Sequence, residues 1–242
     1  MKKRKKGLFL IVVAVILVIL TCLYKNKKET GNSDSPQIYL YGEKHGVEAV
    51  INKEFELWLS HYNKDGMRHL FIETPYYTAE FLNIWMHEDN DEILDAIFAD
   101  LEGTAAHNPL YRDFYKKIKE QCPETVFHGT DVGHQFFSTG QRFLEYLEKN
   151  GLKDSKQYSL ALEVIEQGKF FYDSSDDVYR ENKMVENFIR EFDALGSEKI
   201  MGIYGSAHTG LFKLDFTGKV ACMANQLRMH YGDIIYSENL SK

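Results

Sequence analysis

Every position from residue 8 to residue 20 is apolar, and no charge falls anywhere between Gly7 and Tyr24. A helix over these 18 residues, rising about 1.5 Å per residue, reaches about 27 Å, close to a hydrocarbon core of about 30 Å. The pattern therefore predicts a transmembrane anchor at 7–24, after a basic stub at 1–6. Residues 25–36, KNKKETGNSDSP, have no apolar period and read as a linker. Beyond them, short apolar runs alternate with longer stretches of helical period. Runs at 38–41, 69–72, 125–128 and 199–204 predict buried strands, each stopped by a glycine or by Glu73-Thr74-Pro75. Helical spacing is expected at 47–62, 78–87, 91–101, 109–121, 141–149, 156–171 and 176–195, and a last helix and a strand at 233–236 close the chain. Strands separated by helices, at spacings too long for hairpins, predict one α/β domain over 37–242. Its central sheet is mostly parallel, with flanking helices and a helical insertion between strands 2 and 3.

Charge divides the chain at the same place. Residues 1–28 hold eight of the 29 Lys and Arg and no Asp or Glu, leaving 21 basic against 36 acidic residues, so the net charge of -7 is the sum of a +8 end and a -15 body. Five basic residues precede the apolar segment and three follow it, which favours an N-terminus inside and a body outside. The expectation is a single-pass protein of the cell membrane with an extracytoplasmic domain. Signal-peptide cleavage or lipidation at Cys22 are the alternatives; the long apolar run and the absence of a small-x-small site speak against cleavage. So acidic a body repels a phosphate backbone, which excludes broad nucleic-acid binding. Partners are expected to be the membrane and a small-molecule or peptide substrate. Cys122 and Cys222 suit either one disulfide or two buried thiols, and no CxxC supports a zinc site.

Chemistry collects just after the predicted strands. Gly42-Glu43-Lys44-His45-Gly46 follows the first, Glu73-Thr74-Pro75 the second, Gly129-Thr130-Asp131 the third and Gly205-Ser206-Ala207-His208 the fourth. In open parallel sheets ligands bind off the carboxyl ends of the strands, so these groups are expected to converge in one crevice, with the glycines supplying tight turns. In the helix at 176–195, Arg180, Met184 and Asn187 share a face, which lets Arg180 point into the crevice. His128, Asp131 and His134 repeat at a spacing of three; we read them as structural, with Asp131 best placed to reach the crevice.

Taken in order, Gly42-Glu43-Lys44-His45, Glu73-Thr74-Pro75, Gly129-Thr130-Asp131, the run from Arg180 to Asn187, and Gly205-Ser206-Ala207-His208 resemble the motifs of the erythromycin-esterase, TraB and Tiki superfamily, which also contains the ChaN haem-uptake proteins. The resemblance spans nearly the whole body, which is shorter than an erythromycin esterase.

The residues suit hydrolysis by an activated water. His45 is the base, Glu43 or Glu73 orients its imidazole, and Arg180 and His208 stabilise the oxyanion. Asp131, Ser206 and Tyr76 are expected to contact substrate. No Gly-x-Ser-x-Gly elbow is present, leaving Ser206 as the one candidate nucleophile. The resemblance to the Tiki proteases implies a metal variant of the same site, in which His45, Glu73 and His208 hold a divalent ion as the cofactor. It also implies two alternatives to hydrolysis: haem or iron uptake of the ChaN kind, with aromatics such as Tyr76, Tyr111 and Tyr172 lining the pocket, and a TraB-like regulator acting on a peptide.

Overall fold

Successive residues of each strand go to opposite sides of the sheet, and both sides are covered. Ile38, Leu40, Phe71, Ile200 and Tyr204 enter one apolar cluster, whereas Tyr41, Leu70, Ile72, Met201 and Ile203 enter another. This double burial explains why the strands read as unbroken apolar runs rather than alternating ones. The computed structural model describes residues 36–241.

In chain order the elements are β1 (Ile38–Glu43), α1 (Glu48–Ser60), β2 (His69–Pro75), α2 (Tyr76–Trp85), α3 (Glu92–Asp100), α4 (Pro109–Gln121), β3 (Val126–Asp131), α5 (Gln141–Lys149), α6 (Lys156–Ser174), α7 (Asp177–Ala194), β4 (Ile200–Gly205), α8 (Met223–Tyr231) and β5 (Ile235–Asn239). The strands form one sheet in the order β3-β2-β4-β1-β5, and every pairing is parallel. Helices α2 to α4 are the insertion between β2 and β3. They pack with α1 and α5 over the larger cluster, around Trp58, Trp85, Phe127 and Phe143. Helices α7 and α8 cover the other side through Met184, Phe188 and Leu227.

The main departure from the sequence pattern is that the strands run further. β1 continues through Gly42 and Glu43, which pair with Tyr204 and Gly205, and β2 continues past Ile72 through an irregularity to Pro75, which pairs with Asp131. Glu43, Glu73 and Asp131 therefore lie within the last residues of their strands and take their direction from the sheet. Apolar runs mark only where a strand is buried on both sides, whereas ladder hydrogen bonds carry it on into polar residues. The glycines serve close approach rather than turns: a Cβ on Gly205 would stand 3.0 Å from His45 Nε2. The turn belongs to Gly46, whose φ is +73°. At the other end, a short 3-10 turn (Gly232–Ile234) occupies positions expected to begin β5.

α6 and α7 start at side-chain caps, Ser155 accepting from the Tyr158 N–H and Asp176 from the Tyr179 N–H. Cys122 and Cys222 are both buried free thiols, the first within the larger cluster and the second at the start of α8, where its thiol donates to the Gly210 carbonyl at 3.0 Å. Among the described residues no helix is long and apolar enough to cross a membrane; the expected anchor at 7–24 lies outside them.

Candidate active site

A cavity of about 330 Å³ opens at the carboxyl ends of the strands. Its polar end carries Glu43 and His45 from β1 and the turn after it, Glu73 from β2, Asp131 from β3 and Arg180 from α7. Its apolar end is built by the insertion, through Leu82, Ile97, Phe98, Leu101, Phe114 and Tyr115.

Alternation in β1 puts Glu43 on the side of Tyr41, under the insertion, and leaves it 7% exposed. His45 Nδ1–H donates to Glu43 Oε1 at 2.9 Å, which fixes the tautomer with Nε2 as the free lone pair. The second Glu43 oxygen accepts from the Tyr111 hydroxyl at 3.0 Å, and that hydroxyl accepts the Gly46 N–H at 2.9 Å. The insertion thus closes a chain from the backbone of the β1 turn through Tyr111 and Glu43 to His45. The hydrogen bond to Glu43 lifts the His45 pKa above the ordinary histidine value, with further lift from the Glu73 charge, against the opposing effects of burial and Arg180.

Arg180 sits in the first turn of α7 and holds two carboxylates at once. Nε donates to Asp131 Oδ1 at 3.0 Å, and Nη2 donates to Asp131 Oδ2 at 2.6 Å and to Glu73 Oε1 at 2.8 Å. Burial alone would raise the Asp131 pKa, but the Arg180 charge, with His134 bonded at 2.9 Å, holds it far below the usual carboxylate range. Glu73 Oε2 accepts the Gly205 N–H at 2.6 Å, tying β2 to the end of β4.

His208 is not among the residues lining the cavity; it stands behind the polar end, buried. Its Nδ1–H donates to Glu181 at 2.6 Å and its Nε2 lies 3.6 Å from Glu73 Oε1. Burial lowers its pKa, and the bond to Glu181 with the charge of Glu73 more than offsets this, so the net shift is upward. Glu181 is itself buried and also accepts the Met223 N–H at the start of α8. Ser206 and Tyr76 are likewise not among the lining residues; Ser206 donates its backbone N–H to the Glu43 carbonyl at 2.8 Å, and the Tyr76 side chain is buried in the larger cluster. His128 departs from its sequence neighbours: it stacks on Phe71, bonds to His69 and Glu191, and leaves only Asp131 and His134 at the cavity.

Among the further residues of the site, the sequence does not single out Glu54 at all; His134 reads there as structural, Tyr111 and Tyr172 only as pocket aromatics, and Glu181 only as part of the Arg180–Asn187 run. Glu54 nevertheless carries a legible signal. Glu54 falls on the buried stripe of α1, with Val50, Ile51 and Trp58, where a charged residue is out of place.

The residues fit a divalent ion poorly. Both oxygens of Glu73 are engaged, one by the Arg180 guanidinium, so a cation on that carboxylate would lie against a fixed positive charge. With Nδ1 of His45 and His208 bound to Glu43 and Glu181, Nε2 is the atom each could offer, but His208 Nε2 stands behind the cavity, 3.6 Å from the Glu73 oxygen that Arg180 holds. Among the described residues no group of three His, Cys, Asp or Glu is gathered to hold a metal.

Comparison with solved structures gives the same fold at low identity. A protein from Bacillus cereus superimposes with a TM-score of 0.59 at 14% identity, over 85% of this chain and 65% of that one. A succinoglycan biosynthesis protein gives 0.62 at 12% identity over 89% and 67%, and an erythromycin esterase, EreC, in an open conformation gives 0.58 at 12% over 84% and 69%. The erythromycin-esterase-like fold implied by the motifs is the fold of this domain. The chain spans less than two thirds of the length of the Bacillus cereus protein. No protein-family model and no curated protein matches the sequence.

Proposed function

We propose that the chain is a membrane-anchored, extracytoplasmic hydrolase that cleaves an ester bond in a small, largely apolar molecule by general-base activation of water. One observation carries the reading: the His45–Glu43 pair, its Nε2 lone pair uncommitted, opens on a cavity that also holds Arg180 and is walled by apolar side chains. The fold shared with an erythromycin esterase supports it.

In this mechanism His45 Nε2 removes a proton from water as the oxygen adds to the ester carbonyl. Glu43 keeps the imidazole oriented and, with Glu73, stabilises the imidazolium that forms. Arg180 binds its two carboxylates through Nε and Nη2, and Nη1 donates to the developing oxyanion. On collapse the bond from the carbonyl carbon to the alkoxy oxygen breaks, and His45 returns its proton to the leaving alkoxide, giving an alcohol and a carboxylic acid that loses its remaining proton to water. His208 is a positioning residue that braces Glu73 from behind, rather than a group on the oxyanion. Peptide or amide cleavage uses the same steps but needs a poorer leaving group to be protonated.

The test is turnover of 4-nitrophenyl esters of graded acyl length by the full chain in detergent. Saturable hydrolysis by the wild type and its loss in His45→Ala support the reading; equal turnover in both sinks it.

A further inference from the structure

Four carboxyl groups line the cavity, and three of them are fully engaged. Glu43 is held by His45 and Tyr111, Glu73 by Arg180 and the Gly205 N–H, and Asp131 by Arg180, His134 and the Val132 N–H. Glu54 is the exception. It is 1% exposed, it borders the cavity on the side of Phe114 and Tyr115, and its Oε1 is buried with no hydrogen-bond partner. Natural proteins rarely leave such a group unsatisfied, because an unpaired buried polar atom costs about 1–3 kcal/mol. Where one faces a cavity, its partner is whatever the cavity holds, water or substrate.

The surroundings decide the form of the group. An ionised carboxylate in an apolar wall, beside the charge of Glu43 and with no cation at hand, is the worst state available to it, so the group keeps its proton. Burial first, and the charge of Glu43 second, push its pKa up to about 9. A carboxylic acid facing a cavity is a hydrogen-bond donor. No lysine lines the cavity, and its one arginine holds two carboxylates and keeps a single donor for the oxyanion, so a second carboxylate on the ligand has no cation of its own to pair with there.

We propose that Glu54 is a specificity-determining residue of the cavity, donating a hydrogen bond to an uncharged oxygen acceptor of the substrate, such as an ether, hydroxyl or ketone oxygen, and selecting against substrates that carry a second carboxylate. This deepens the hydrolase reading by naming the substrate class: an oxygenated, electrically neutral, otherwise apolar ester. A helix residue that holds its proton without a partner is a cost to the fold, as is common where a site is built for a ligand.

The test compares the full-length wild type with Glu54→Gln, which keeps a donor, and Glu54→Leu, which keeps the volume alone. The probes are 4-nitrophenyl hexanoate, the same ester with one chain methylene replaced by an ether oxygen, and esters of matched length ending in a carboxylate or an ammonium group. Wild type and Glu54→Gln are expected to prefer the ether ester over the hexanoate by roughly five- to tenfold in kcat/KM, and to turn the carboxylate ester over least. Glu54→Leu is expected to lose the ether preference while melting above the wild type, an opposition that a purely structural role does not produce. An unchanged preference in Glu54→Leu overturns the proposal. So does a preference for the ammonium ester that both variants lose, since that identifies an ionised carboxylate pairing with a cation. If the wild type cleaves no ester, the hydrolase reading fails separately, and Glu54 is judged by binding. Thermal shifts with the ether-containing alcohol and with hexanol should then differ for wild type and Glu54→Gln but not for Glu54→Leu; equal shifts in all three overturn the donor role.

Discussion

His45 Nδ1 lies 2.9 Å from Glu43 Oε1, although only Lys44 separates the two residues in the chain. Neighbours two apart share a side in an extended strand, and β1 ends on Glu43 as the chain turns through Gly46, so the contact is made locally and then locked by Tyr111 from the insertion. Glu43 is buried by the fold, His45 is half-exposed, and the imidazole therefore stays within reach of water while its orientation is fixed.

From this pair follows the sharpest kinetic expectation. His45 acts in its neutral form, so kcat/KM rises as pH climbs through a His45 pKa that Glu43 holds above the ordinary value. Glu43→Gln removes that lift. The acid limb of the pH–rate profile should move to lower pH, and kcat should fall by about 10- to 100-fold as orientation and imidazolium stabilisation are lost. An unmoved limb would show that another group titrates there.

Arg180 is expected to matter for stability as much as for turnover. Arg180→Met strands Asp131 and Glu73 together in a buried site, and breaking such a pair costs about 3–5 kcal/mol in urea unfolding. Arg180→Lys restores charge without the fork and should recover only part of this. Asp131 has a depressed folded pKa, so its contribution is present above the unfolded carboxyl value and fades as pH falls through the folded one. The gap between wild type and Arg180→Met should accordingly narrow in acid.

The pair of His208 and Glu181 has the opposite pH sign. The folded pKa of His208 is raised, so its stabilisation is complete below the unfolded histidine value of about 6.5 and is lost as pH rises through the folded value. Glu181→Gln should drop the His208 titration, followed by NMR of its ring protons, because burial then acts without its counterweight. It should also cost more stability at about pH 6 than at about pH 9. An equal cost at both would assign Glu181 to the Met223 backbone contact alone.

Ser206→Ala and treatment with a chelator are both expected to leave turnover close to that of the wild type. Ser206 is not among the cavity-lining residues, and Glu73 has both oxygens engaged by Arg180 and Gly205. Loss of activity in Ser206→Ala, with an acyl-enzyme trapped by mass spectrometry in the wild type, would replace activated water by a covalent route. Loss on chelation, restored by one divalent ion, would require Arg180 to release Glu73.

Much of the fold was legible along the chain because a doubly buried parallel strand and an amphipathic helix leave different periods in the sequence. The four strands before α8, the insertion after the second of them and the helix that opens at Asp176 could all be read from those periods. The strand ends could not, since β1 and β3 extend into Glu43 and Asp131 on ladder bonds that apolarity does not record.

The sequence alone determined which groups were available and that they lay where strands end: Glu43, His45, Glu73, Asp131, Arg180 and His208 are all near neighbours of an apolar run or of the cap at Asp176. Tertiary structure alone decided their roles. It brought Arg180 across 107 positions to Glu73, set His208 behind the cavity with Glu181 rather than in it, and left Ser206 and Tyr76 out of its lining. It also placed Glu54, one charged residue on the apolar stripe of α1, against Tyr111 and Tyr115 from α4. The reason is physical. A sequence period reports the solvent on each side of a single element, whereas a site is formed by side chains from several elements, whose distances are fixed only when the sheet order and helix packing are complete.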